Sequence, residues 1–257
     1  MKPLITAIIA VAACCGMLAA ADDALQTNSD ALRAAVDGKK GAAEIKKLAT
    51  TVLNEAKKAE GPAPADADKD NWAARQKYAE GVAEYAEYAL YSASVGASSA
   101  TAMDMISTLE NLAPKSKYLT QDAYLVVANA AMTAQDADRA MAFARKALTA
   151  PKGANAAKAE TNAHYIIGIA AANKKDNATA SRELREALPG LKGNPSMEGP
   201  ALYFLGEAAY AIGRQQMDRA GADQGIKFML QAALISGPYQ AGAAAEARRM
   251  KTEMGEK

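Results

Sequence analysis

Apolar residues recur along most of this chain at helical spacing. Ile45, Leu48, Ala49, Val52, Leu53 and Ala56 follow i, i+3, i+4, i+7, i+8 and i+11, the stripe of an amphipathic helix. Leu25, Leu32 and Val36 mark a shorter helix ahead of it, and GKKG at 38–41 is the break between the two. Lys39, Lys40, Lys46, Lys47, Lys57 and Lys58 spread around the polar side and read as a solvated face. The clearest unit is residues 161–188. There His164, Ile167, Ile169 and Ala171 lie on one periodic segment, and Leu184, Ala187 and Leu188 form the stripe of a second. Asn173 to Asn177, NKKDN, separates them, with Asn177 as the expected N-cap and Glu183 within the first two turns. So short a connection forces antiparallel packing. The smallest residues, Gly168, Ala180 and Ala187, fall where the two backbones must approach, and Ile167 and Leu184 fill the space beside them.

The same spacing returns in neighbouring segments. Residues 121–151 place Tyr124, Val127, Ala128, Ala140 and Ala147 at equivalent positions and close on Pro151. Residues 199–238 place Leu202, Leu205 and Gly206 on a first helix and Gly225, Met229 and Ala232 on a second, with seven extra residues expected in the inter-helix segment around RQQMDRAGADQG. A weaker copy at 82–114 has Tyr85, Tyr88 and Ala89, then Ala102, Ile106 and Leu109, with Leu109 where a small residue is expected. This pattern of large residues, Gly or Ala, and a closing Pro resembles the tetratricopeptide repeat. His164, Ile167, Gly168, Ala180, Leu184 and Ala187 take its positions 4, 7, 8, 20, 24 and 27, and Pro189 stands early for its closing proline. The resemblance implies an all-α, right-handed α-solenoid of about four helical hairpins over residues 72–240. The helical pair at 22–60 would dock on the first hairpin as a cap, since an open solenoid end exposes apolar surface. Residues 241–257, AGAAAEARRMKTEMGEK, read as a polar final helix that frays.

Residues 61–71, rich in Pro, Ala and Asp, read as a solvated acidic linker. Asp66, Asp68 and Asp70 alternate as at the start of a calcium loop, but Asn71 stands where the turn needs Gly and Lys77 where a bidentate Glu should close the coordination sphere. The segment needs no ion. After it Tyr78, Tyr85, Tyr88 and Tyr91 lie near one side of a helix, either a recognition surface or a helix–helix seam, and the periodicity favours the seam.

The N-terminus reads as a targeting segment, residues 1–21. Lys2 is its positive region, LITAIIAVAA at 4–13 its apolar core, and Ala19-Ala20-Ala21 its cleavage site. A rival reading takes Val11-Ala12-Ala13-Cys14 as a lipobox with Cys14 the lipidated residue; simple cleavage is favoured because the chain stays apolar from Cys14 to Ala21. An uncleaved anchor is a third reading. These readings make the protein periplasmic or secreted, or a membrane-anchored lipoprotein. Both cysteines, Cys14 and Cys15, leave with a segment cleaved after Ala21, so no disulfide framework and no Cys metal site is expected.

Half of the residues are apolar but only 5% are aromatic, which points to helices held by close backbone approach. The formal charge of +1 falls to about zero without Lys2, giving no electrostatic footprint for nucleic acid or for an anionic membrane surface. Catalytic constellations are missing from the sequence. The one histidine, His164, occupies a packing position and reads as a satisfied core residue, so zinc and thiol-nucleophile sites are not expected. Neither a phosphate-binding glycine loop nor a nucleophile elbow occurs, and no cofactor is implied.

In the tetratricopeptide family the first helices of successive hairpins line a concave groove. Carried over by position, the lining is Leu125, Asn129 and Met132, then Asn162, Tyr165 and Asn173, then Tyr203, Glu207 and Tyr210. Such a polar, aromatic and nearly neutral groove lacks the Lys and Asn clamp of the members that grip an acidic C-terminus, and suits an extended peptide or protein segment. The function implied is a non-enzymatic adaptor of the bacterial cell envelope. The alternative is a scaffold subunit of an envelope complex of the outer-membrane assembly or cell-division type, and an enzyme on a helical scaffold has the least support.

Overall fold

A computed structural model describes residues 24–58, 69–153 and 155–255. The expected targeting segment, with Cys14, and most of the expected acidic linker lie outside them. Eleven helices and no strand occur among the described residues. They form five antiparallel hairpins and a closing helix: α1 (Ala24–Asp37) with α2 (Ala42–Lys57), α3 (Lys69–Ser94) with α4 (Ser99–Leu112), α5 (Gln121–Thr133) with α6 (Ala137–Thr149), α7 (Ala156–Asn173) with α8 (Asn177–Leu191), α9 (Pro195–Gln215) with α10 (Arg219–Ala233), then α11 (Gln240–Glu253). Each helix packs on the next in the chain, which makes the whole a helical solenoid. The odd-numbered helices also touch one another from hairpin to hairpin along the full length, whereas of the even-numbered ones only α2 and α4 meet. The odd helices are therefore the tighter, inner row.

Three hairpin tips share one turn. In Ala134-Gln135-Asp136, Lys174-Lys175-Asp176 and Gln216-Met217-Asp218 the middle residue is left-handed, with φ of 58°, 61° and 55°. The aspartate N–H returns to a carbonyl five residues back, on Ala131, Ala171 and Gly213, at 2.9, 2.9 and 2.8 Å, closing the outgoing helix. The same aspartate is the N-cap of the incoming helix, and Asp136 and Asp176 also accept from the N–H of Arg139 and Thr179 at 3.0 and 3.1 Å. The cap before α8 is thus Asp176, and Asn177 is already the first helical residue.

This shared turn corrects the expected insertion in the fifth hairpin. No long connection exists there. Relative to the preceding hairpin, four of the seven extra residues lengthen α9 beyond Gly206 and three lengthen α10 ahead of Gly225, close to one turn on each helix. Adding nearly equal lengths to both antiparallel arms keeps the turn and the register below it. The added turn of α9 needs a small residue of its own. A Cβ at Gly213 would overlap the Ala222 backbone nitrogen and lie 2.8 Å from Ala222 Cα, while one at Gly225, below the added turn, would lie 2.5 Å from the Tyr210 nitrogen.

The expected small-residue contacts of the fourth hairpin are present. Ala180 and Ala187 are fully buried, and a Cβ at Gly168 would lie 2.6 Å from Leu184 Cγ. Leu109 is fully buried in the second hairpin, so a large residue is accommodated there. Pro189 does not end a helix: α8 runs through it to Leu191. The N-terminal helical pair packs on α3 and α4, with Ile45, Ala49, Val52, Leu53 and Ala56 buried. Of its lysines, Lys46 reaches Asp104 on α4 at 2.5 Å, and Lys39, Lys40, Lys47, Lys57 and Lys58 are exposed. The linker expected to reach Asn71 gives way to helix at Lys69. The final helix does not fray: Ala243, Ala247 and Met250 of α11 are buried against the last hairpin.

Candidate functional site

On the inner row the structure gathers aromatic rings at the C-terminal end. Tyr203 and Phe204 stand side by side on α9, and Tyr239, the residue before α11, comes back over both. Its ring centroid lies 5.1 Å from that of Tyr203 and 5.5 Å from that of Phe204, which are 5.3 Å from each other and edge-on. Tyr203 points toward α11, where Gly242 leaves it room. Phe204, like Tyr165 of α7 and Met132 of α5, packs against the same core. All five are half-buried, so the patch is anchored yet reaches solvent.

One carboxylate borders this patch. Glu207, one turn after Tyr203, is half-buried and accepts from the Tyr203 hydroxyl at 3.4 Å. Burial, followed by the charges of Glu207 and Glu246, raises the Tyr203 pKa. Burial, followed by the neighbouring Tyr239, pushes Tyr165 up to about 12. Both phenols are therefore neutral donors at neutral pH.

The other expected groove residues divide. Asn162 is half-buried on the same helix as Tyr165, and Asn129 and Asn173 are exposed. Asn129 is held by its own helix, its amide donating to the Leu125 carbonyl at 2.9 Å. Leu125 and Tyr210 do not line a groove. Leu125 is buried in the core, and Tyr210 lies under α11 with its hydroxyl donating to Glu253 Oε2 at 2.9 Å. For Tyr210 the cause is that α11 covers the end of α9 that an uncapped repeat would leave open, and Leu125 turns into the core.

Phe204 and Tyr239 were not reached by positional transfer. Phe204 adjoins a transferred position, but Tyr239 belongs to a connection, and only its place in an SGPYQ turn beside aromatic-bearing α9 hints at it. The N-terminal tyrosines form a second inner cluster. Tyr88 lies 5.7 Å from Tyr118 and 6.4 Å from Tyr85, and Tyr91 stacks on Tyr118 at 6.0 Å. Tyr78, Tyr85 and Tyr91 pack against the core as a seam, whereas Tyr88 is 38% exposed. Arg33 lies 5.7 Å over Tyr85 and Lys117 lies 5.3 Å over Tyr118.

His164 is half-buried rather than enclosed. Its Nδ1 lies 2.7 Å from Glu183 Oε2, and Arg182 donates to the other carboxylate oxygen at 2.7 Å. Burial pushes Glu183 up, but hydrogen bonds from His164 and Arg182 outweigh it and hold the carboxyl below the usual range. The triad ties α7 to α8. A cleft of about 420 Å3 near the start of α5 is lined by another such set, in which Glu110 receives Lys146 at 2.7 Å and the Tyr124 hydroxyl at 3.0 Å. Among the described residues no group of three or more His, Cys, Asp or Glu side chains is placed to hold a metal, and no helix is long and apolar enough to cross a membrane. Comparison with protein-family models, with curated proteins and with solved structures gives no match.

Proposed function

We propose that this chain is an exported, non-enzymatic adaptor of tetratricopeptide type, which binds an extended protein segment along its inner helical row in the bacterial cell envelope. The observation that carries the reading is the solvent-reaching aromatic patch of Tyr165, Tyr203, Phe204 and Tyr239 on that row. Aromatic side chains supply rigid contact area at little entropic cost, and on a solenoid they face a surface that a segment in extended form can follow. The identical turns of three hairpins and the small residues at their crossings support the repeat assignment. Export rests on the sequence of residues 1–21, with Lys2, the apolar stretch and the Ala-Ala-Ala site, or lipidation of Cys14 in its place.

Site-specific photocrosslinking in cells tests this. A benzophenone side chain at Tyr165 or Asn129 on the inner row, compared with one at the exposed Glu186 on α8, should give a discrete protein adduct only from the inner positions. Equal adducts from both rows, or none from the inner one, would count against the adaptor. Intact mass of the isolated chain reads out cleavage after Ala21 or lipid on Cys14.

A further inference from the structure

The two aromatic clusters of the inner row differ in charge. The N-terminal one holds cations of its own, Arg33 over Tyr85 and Lys117 over Tyr118, and Lys117 also pairs with Glu84. The C-terminal one has no cation over any of its rings among the described residues. It has instead a carboxylate, Glu207, whose one partner among the described residues is the Tyr203 hydroxyl. Glu246, which also acts on Tyr203, is already paired with Arg249. A half-buried carboxylate at the tip of Tyr203, in a ring cluster that no cation covers among the described residues, leaves room for a cation from outside to meet the carboxylate and a ring together.

Building on the adaptor reading, we propose that this patch receives an arginine side chain of the bound segment. The guanidinium stacks on the Tyr203 and Tyr239 rings and donates to the Glu207 carboxylate. Arginine suits the place better than lysine because a planar guanidinium stacks and forks at once, and sheds its water more readily. The internal comparison supplies the chemistry: this chain places Arg33 on Tyr85 where it provides the cation itself, and omits one at Tyr203. The partner is thus a protein segment with a basic residue set among small or polar ones. An acidic segment would meet Glu207 unfavourably.

The test uses the mature chain and three fluorescein-labelled nonapeptides of alternating serine and alanine, with arginine, citrulline or glutamate at the centre. Fluorescence polarisation at physiological salt reads their binding to the parent, Glu207→Gln, Glu207→Arg and Tyr165→Ala. The expected result is that the parent prefers arginine over citrulline about tenfold, as a charge-assisted bond gives. Glu207→Gln should erase that preference while holding the citrulline peptide within about twofold, and Glu207→Arg should turn the preference to the glutamate peptide. Equal binding of arginine and citrulline peptides by the parent overturns this inference, and if Tyr165→Ala then weakens both, the adaptor reading stands without it. An arginine preference that survives Glu207→Gln places the cation elsewhere and also overturns it. No binding of any peptide below millimolar overturns both. Circular dichroism of each variant establishes that it is folded.

Discussion

Two glycine-to-alanine changes should move stability in opposite directions. Gly213 lies on α9 where α10 crosses closest, and its added Cβ would meet only backbone: the Ala222 nitrogen, the Ala222 Cα at 2.8 Å and the Gly221 carbonyl carbon at 2.8 Å. Backbone atoms of a packed helix cannot rotate aside, so α9 and α10 must part by about 1 Å, at the upper end of the roughly 1–3 kcal/mol that overpacking costs. Alanine recovers about 1 kcal/mol of helix propensity, leaving a net loss of about 2 kcal/mol for Gly213→Ala. Gly81 lies in the middle of α3, is exposed, and a Cβ there meets nothing within 4 Å. Gly81→Ala keeps the propensity gain and should add about 0.5–1 kcal/mol. Thermal unfolding followed by circular dichroism separates them, at roughly 2–4 °C per kcal/mol for a chain of this size. Because each hairpin touches mainly its neighbours, hydrogen exchange in Gly213→Ala should rise in α9, α10 and α11 and stay unchanged in α1 to α4. A Gly213→Ala protein as stable as the parent would refute the close crossing, and a destabilised Gly81→Ala would refute the exposed helix.

Other expectations are smaller or more local. Met217 is left-handed at the last hairpin tip and 93% exposed, so Met217→Gly should raise the melting temperature by relieving about 0.5–1 kcal/mol of backbone strain. Met250, on the buried face of α11, is 1% exposed, and Met250→Ala should cost about 2–4 kcal/mol and speed hydrogen exchange of that helix. Glu183 has its pKa lowered by folding, so its contribution is present above the unfolded carboxylate value and lost as pH falls through the lower folded one. Urea unfolding from pH 6 to 3 should show the parent losing more stability than Glu183→Gln, which itself starts about 1–3 kcal/mol lower at pH 6. Tyr165 has its pKa raised to about 12, so its neutral form stabilises the fold fully below pH 10, and that contribution is lost as pH rises from about 10 to about 12. Ring resonances of Tyr165 should stay unshifted at pH 11, and an ordinary tyrosine titration there would sink the burial argument.

How much of this protein its sequence determines can be judged residue by residue. Helical periodicity named the stripe from Ile45 to Ala56, and burial follows it because an isolated amphipathic helix gains stability only by covering that stripe. Gly168, Ala180 and Ala187 identified a crossing, since close backbone approach permits little else. Local signals failed where a distant segment decided. RQQMDRAGADQG has the composition of a loop, yet all of it but Gln216 to Asp218 is helix, because lengthening both arms together buries Ala222 and preserves the turn. Residues 241–253 have a polar composition, yet Ala243, Ala247 and Met250 dock α11 on the last hairpin, with Glu253 receiving the Tyr210 hydroxyl, and this took Tyr210 out of the inner face. Tyr239 joined the aromatic patch only because α11 starts beside α9. Spacing along the chain determines which faces are apolar, a local property of each helix, whereas the residues left facing solvent on the inner row depend on what packs over them, and only the tertiary structure settles that.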